Sequence, residues 1–263
     1  MKDIENITTV AVVADFKYLH NYFENFNKQL RTKGNFKGDL LIITTYFCPT
    51  FLIRGISKKN KVIVLRFKKI KFKKNTNKIL NNLETFEDPN RNKTKKFQWH
   101  KLNLFDIKLK QWDYIFYLDI NMNIHFDINI LLKDLPKNSF QARADSYPNY
   151  DRKLDTQFDK TNLIYEDLRS NYDLSVNDYF QTGVVYYDTT IINENTKAEI
   201  IKLVERFPIS ITNEQGILNL YFYLEKKLYK ELPTDIDGYL SYFYWMIKDK
   251  KVIITKALKC HNE

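Results

Sequence analysis

Residues Tyr114-Ile115-Phe116-Tyr117-Leu118 form an apolar run that ends on Asp119-Ile120-Asn121. Ile115 to Leu118 suit a fully buried strand. Asp119 then falls where an open α/β sheet presents its ligand groups, at the carboxyl edge of a strand. A carboxylate followed two residues later by an amide oxygen offers two hard oxygen ligands of the type that Mg²⁺ or Mn²⁺ prefers. The same tripeptide also serves as an ordinary strand-ending turn, because Asp and Asn are frequent in turns. A second feature is the glycine inside Tyr179-Phe180-Gln181-Thr182-Gly183-Val184-Val185-Tyr186-Tyr187. A glycine within a strand marks a bulge or the close approach of a ligand.

These residues need a framework, and the hydrophobic pattern supplies one. Thr8 to Val13 reads as a first strand, and Lys17 to Arg31 as an amphipathic helix with Leu19, Tyr22, Phe23, Phe26 and Leu30 at helical spacing. Asp39 to Thr44 and Lys61 to Leu65 read as the second and third strands, with Gly34 and Gly38 punctuating the first return. Phe97 to Phe105 reads as a helix feeding the strand that ends at Asp119. Ile128 to Leu132 suits a short helical turn, Ser139 to Ala144 a strand, and Asp145 to Asn171 loop and helix over the sheet edge. Thr196 to Phe207 reads as a helix ended by Pro208, Asn213 to Tyr223 as another, and Val252 to Thr255 as a last strand. Strands alternating with helical segments imply an α/β fold with a mostly parallel sheet and right-handed crossovers. No internal repeat is visible.

The 263 residues, 44% of them hydrophobic, can bury a real core, and 6 Gly and 6 Pro leave no room for a Gly-rich linker. One domain spanning 1–263 is expected. Cys48 and Cys260 lie far apart and form no C-x-x-C, so neither a zinc site nor a disulfide framework is indicated. Acids stand near Met1 where a signal peptide is positive, no apolar core follows, and no stretch approaches transmembrane length. A soluble, cytoplasmic protein is the expectation. The net charge of +10 is concentrated in lysines between Lys58 and Lys96. Such runs are usually a solvated face, and otherwise attract an anionic substrate, a membrane surface or nucleic acid.

Several pieces, in this order, resemble the family 8 glycosyltransferases, and in particular the glycogenin-like ones. Val12-Val13-Ala14-Asp15-Phe16-Lys17-Tyr18 is similar to that family's first strand and nucleotide-binding loop. Lys101-Leu102-Asn103-Leu104-Phe105 through Asp119-Ile120-Asn121 is similar to its lysine-bearing helix and Asp-x-Asp strand. Phe180-Gln181-Thr182-Gly183-Val184 stands where the family has Phe-Asn-Ser-Gly-Val, and Glu214-Gln215-Gly216-Ile217-Leu218-Asn219 is similar to its Asp-Gln-Gly-Ile-Leu-Asn. The resemblance covers residues 8–223. Two departures stand out. The second carboxylate of Asp-x-Asp is Asn121. The family's terminal His-x-x-Gly-x-x-Lys-Pro-Trp is reduced to His261, two residues from the chain's end. Either the chain is a piece of a longer one, or a basic side chain from elsewhere, such as the Lys58–Lys96 region, takes the place of the missing lysine.

The resemblance implies a GT-A fold, Rossmann-like in its first half, and transfer of glucose or a related hexose from a UDP-sugar to a hydroxyl of a glycan or protein, with retention. It implies Mn²⁺ or Mg²⁺ held by Asp119, Asn121 and His261. Asp15 with Ala14, and Tyr18, are expected at the base or ribose; the ordinary alternatives are a helix N-cap and a packing aromatic. Lys101 is expected at sugar or phosphate, Ile120 beside the donor, and Asp145 and Gln181, Thr182 and Gly183 against the donor sugar. Glu214 and Gln215 are expected beside the anomeric carbon, stabilising an oxocarbenium-like transition state. The resemblance also allows a homodimer. Rival readings are a degenerate transferase that binds nucleotide or glycan without turnover, suggested by Asn121, and a basic nucleic-acid or membrane-surface binder, suggested by the lysines.

Overall fold

The structure is a computed structural model that describes residues 8–83, 97–133, 136–145 and 152–256, and the backbone of 260–261. Strands β1 (Thr8–Val13), β2 (Asp39–Thr45), β3 (Val62–Phe67), β4 (Tyr114–Leu118), β6 (Phe140–Ala144), β7 (Phe180–Asp188) and β8 (Tyr229–Glu231) form a seven-stranded sheet in the order β3-β2-β1-β4-β7-β6-β8. β1, β2, β3 and β4 run parallel to one another, as expected. β7 runs antiparallel to both β4 and β6, and β8 returns parallel to β6. The sheet is mostly parallel, with one reversed strand in its second half.

The period of two in each strand divides the core into two layers. Val10 and Val12, Leu40 and Ile42, Phe116 and Leu118, and Val184 and Tyr186 face one layer; Ala11, Leu41, Ile115, Tyr117, Val185 and Tyr187 face the other. The first layer receives Leu19, Phe23, Phe26 and Leu30, all fully buried on the Phe16–Thr32 helix. Asp15 starts that helix by accepting the Tyr18 amide at 2.9 Å, which satisfies one of its free N–H groups. The second layer is closed by the 3₁₀ segment Trp99–Phe105, the Thr196–Arg206 helix, and the Glu214–Leu218 helix with its π-helical continuation Asn219–Glu225.

Three local expectations are corrected. The Phe97–Phe105 helix is mostly 3₁₀, with Leu102, Asn103, Leu104 and Phe105 all buried in succession, a pattern that a one-faced α-helix does not accommodate. The helix from Asn213 switches from α to π at Asn219. The side chain of Asn219 explains the anchoring there: its oxygen accepts the Phe180 amide at 2.9 Å, and its amide donates to Phe180 O at 2.8 Å and Gln215 O at 2.9 Å. The third correction is a second sheet, in the order β5-β12-β10-β9, built from β5 (Asn123–Ile124), β9 (Asp235–Ile236), β10 (Tyr239–Phe243) and β12 (Val252–Thr255). Only β12 of this sheet was expected. A short pair, β11 (Met246–Ile247) with β13 (Cys260–His261), completes the strands among the described residues.

Asn219 is fully buried, so replacing it leaves buried backbone groups of β7 unpaired. Asn219→Ala is expected to cost about 3 kcal/mol of stability by urea unfolding; a loss below about 1 kcal/mol would show that β7 does not depend on it.

Candidate active site

The topology gathers one edge of the large sheet. β1 and β4 are parallel, so Asp15 and Asp119, which follow them, emerge on the same side. β7 is antiparallel to β4, with Leu118 opposite Val184, so its first residues, Phe180 to Gly183, lie beside Asp119. The Asp119 amide donates to Gly183 O at 2.9 Å. β6 ends opposite the start of β7, Ala144 facing Phe180, and brings Asp145 to the same edge. Glu214 enters from the second layer, immediately after Asn213, whose φ of 58° and ψ of −121° hold a sharp turn. Gly216 lets that helix come in close: a Cβ there would stand 2.6 Å from Ser210 Oγ and 3.1 Å from the Phe158 ring.

These residues line one cleft of about 710 Å³, within the range of small-molecule sites. Asp15, Tyr18, Lys101, Asp119, Ile120, Asn121, Asp145, Gln181, Thr182, Gly183, Glu214 and Gln215 all contribute to its wall. Ala14 is buried behind Asp15. Tyr18 packs against Tyr22 with ring centres 5.6 Å apart, while Asp15 both caps its helix and lines the cleft. Of His261 only the backbone is described, paired with Ile247; its side chain lies outside the described residues.

The cleft floor is a chain of charges. Lys101 Nζ stands 3.1 Å from Asp119 Oδ1 and 2.8 Å from Glu214 Oε1. The Tyr117 hydroxyl donates to Asp119 Oδ1 at 2.6 Å. Lys256 Nζ donates to Asp119 Oδ2 at 2.9 Å and to Asn121 Oδ1 at 2.5 Å. Burial alone would raise the Asp119 pKa; the ammoniums of Lys101 and Lys256, with the Tyr117 hydroxyl, outweigh it and hold the carboxyl well below its usual range. Burial likewise works against the Lys101 charge, but Asp119 and Glu214 raise its pKa well above the usual value. Burial first, and then Asp119, push the Tyr117 phenol well above 10.0, so it remains a donor.

The Thr182 hydroxyl donates to Glu214 Oε1 at 2.9 Å, and the Thr182 amide to Gln215 Oε1 at 3.3 Å. Gln215 donates to Gln157 at 2.9 Å, Gln157 to Tyr179 at 3.2 Å, and Tyr179 to Asp145 at 3.0 Å. Asp145 is raised by burial, against the opposing pull of Tyr179 and Arg152. Glu214 Oε2 and Gln181 Nε2, both buried cleft atoms, have no hydrogen-bond partner among the described residues. Such orphans are rare in folded proteins and suit a ligand rich in hydroxyls.

A divalent cation does not fit the described side chains as they stand. Both oxygens of Asp119 are engaged, and the oxygen of Asn121 is engaged by the same ammonium. Among the described residues no group of three or more His, Cys, Asp or Glu gathers to hold a metal ion. Lys256 is a basic side chain in this cleft that the sequence reading did not name; of the Lys58–Lys96 region, residues 84–96 lie outside the described residues. Lys256 was legible by the rule that marked Asp119, a charged residue closing an apolar strand. Gln157 and Tyr179 carried no such signal.

No family profile matches the sequence, and no curated protein matches it. Solved structures do. An active-site mutant of LgtC superposes with a TM-score of 0.56 at 12% identity, covering 91% of this chain and 75% of that one. The galactosyltransferase LgtC in complex with donor and acceptor sugar analogs gives 0.54 at 12% identity. Mouse xyloside xylosyltransferase 1 gives 0.51 at 10% identity, covering 96% of this chain and 97% of that one. The bifunctional glycosyltransferase WbbM gives 0.54 at 18% identity; this chain spans 42% of its length. The fold is GT-A. No helix among the described residues is long and apolar enough to cross a membrane.

Removing one partner from this cluster strands the others. Lys101→Met is expected to cost about 2–3 kcal/mol in urea unfolding at neutral pH, less than a fully buried pair because the groups keep some exposure; no loss would mean that the charges do not depend on one another. The pH dependence has a definite sign. Asp119, lowered from 3.8, contributes stability that is complete above that value and lost as pH falls through the lower folded pKa. Lys101, raised from 10.5, contributes below that value and loses the contribution as pH rises through the higher one. Asp119→Asn should therefore flatten the acid limb of the stability curve below roughly pH 4, and parallel limbs for the two proteins would contradict the assignment.

Proposed function

We propose that this chain is a family 8 glycosyltransferase that moves a hexose, glucose or a near relative, from a UDP-sugar to a hydroxyl of a glycan or protein acceptor, the whole of 1–263 acting as one domain. The observation that carries the reading is the company of groups in one cleft at the carboxyl edge of a GT-A sheet. The cations Lys101 and Lys256 surround Asp119, and Lys101 also meets Glu214, which with Gln215, Gln181 and Asp145 offers carboxylate and amide groups to the same cleft. A nucleotide sugar calls for both kinds of group, being anionic at its diphosphate and rich in hydroxyls at its sugar.

In the reaction, the bond from the anomeric carbon to the diphosphate oxygen breaks, and its electron pair leaves with the nucleoside diphosphate. The acceptor oxygen bonds to the anomeric carbon on the face the leaving group held, which retains configuration, and the acceptor's proton passes to the departing phosphate. Lys101 favours the charge that develops on the leaving group. Glu214 and Gln215 hold the sugar and oppose the positive charge of the oxocarbenium-like transition state. Asp15 and Tyr18 receive the base and ribose, and the backbone of Thr182 and Gly183 lies along the sugar. A nucleotide-sugar-binding protein without turnover is the second reading, favoured by the ammonium bridging Asp119 and Asn121.

Release of UDP from UDP-glucose, UDP-galactose and UDP-xylose separates the two. Turnover of one donor is expected, and Glu214→Gln should lower kcat by about a hundredfold or more while UDP affinity holds. Binding without release supports the second reading. Neither binding nor release would sink both.

A further inference from the structure

β12 ends on Lys256 much as β4 ends on Asp119, and pairing between β12 and β5 brings the two together. Thr255 lies opposite Asn123, two residues beyond Asn121. Val252, Ile253 and Ile254 are fully buried. The Lys256 amide donates to Phe243 O at 3.3 Å and Tyr244 O at 3.1 Å. The base of this lysine is therefore fixed by backbone pairing on both sides, and its ammonium sits across the oxygens of Asp119 and Asn121.

We propose, resting on the transferase reading above, that the Lys256 ammonium takes the place of a divalent cation at the donor's diphosphate, so that the chain binds its nucleotide without metal. Charge balance supports this. Two carboxylates balance a divalent ion, whereas one carboxylate and one amide balance a single ammonium. Asn121 and Lys256 are thus two halves of one arrangement: the neutral amide that weakens a metal site suits a lysine. An ammonium has three donors. Two are spent on Asp119 and Asn121, and the third has no partner among the described residues, while Lys256 lines the cleft and keeps 24% of its side chain exposed. Lys101 brings a second ammonium to the same carboxylate. A divalent ion on these oxygens would first have to expel Lys256 and then share the carboxylate with the like charge of Lys101. The ammonium exchanges neither proton nor electron pair in the reaction; it neutralises charge as the diphosphate leaves.

Titration calorimetry of the full chain with UDP and with GDP, in EDTA and in Mn²⁺, tests this. For the nucleotide that binds, the wild-type Kd is expected to agree within about threefold between the two conditions. In EDTA, Lys256→Met should weaken binding on the order of ten- to a hundredfold, the worth of one charge-assisted hydrogen bond. Lys256→Arg should recover most of that loss. A thermal melt of each variant reports its folding, and the wild-type comparison stands without either variant. Binding that disappears in EDTA, or that survives unchanged in Lys256→Met, overturns the proposal and leaves the transferase reading intact. Failure of both nucleotides in both conditions overturns that reading as well.

Discussion

A carboxylate held between two ammoniums organises this cleft. Asp119 meets Lys101 through one oxygen and Lys256 through the other, 137 residues further along the chain. A partly buried carboxylate alone would be costly and would tend to protonate. Here each charge is the condition for the others: Lys101 also carries Glu214, and Glu214 accepts from Thr182. Segments from β4, β7, β12, the Trp99–Phe105 turn and the Glu214–Leu218 helix are thereby fixed to one another at the candidate site.

The sheet makes that convergence possible. Parallel β1 and β4 end on the same side, and antiparallel β7 begins there, so residues distant in sequence arrive at one edge without a long loop. Asn219 then ties the first residue of β7 to the helix that carries Gln215. Rigid elements, rather than long loops, therefore set the distances among the charged groups of the cleft, which the proposed chemistry requires to be fixed.

Much of the fold is legible in the residue pattern. β1, β4 and β12 stand at the residues where apolar runs place them, because a strand buried on both faces writes a continuous hydrophobic run. The Phe16–Thr32 helix is legible from its four buried positions and the Asp15 cap. β5, β9 and β11 are not, since strands of two residues leave no period to read. The reversal of β7 is also hidden: strand direction is decided by the connection and by packing, and neither alters the residue pattern. Twelve of the residues singled out for chemistry share one cleft. Lys256 escaped because the family resemblance pointed to His261, although the apolar run before it carries the same signal as the one before Asp119.

With Lys256 in the role proposed for it, the GT-A scaffold carries its cation within its own polypeptide. The most direct measurement is a crystal structure of the UDP complex grown with Mn²⁺ in excess, with diffraction recorded at the manganese edge. The expected result is the Lys256 ammonium in contact with a phosphate oxygen, still hydrogen-bonded to Asp119, and no anomalous peak at coordination distance from that carboxylate. A manganese peak bound to Asp119 and Asn121, with Lys256 turned away, would contradict it.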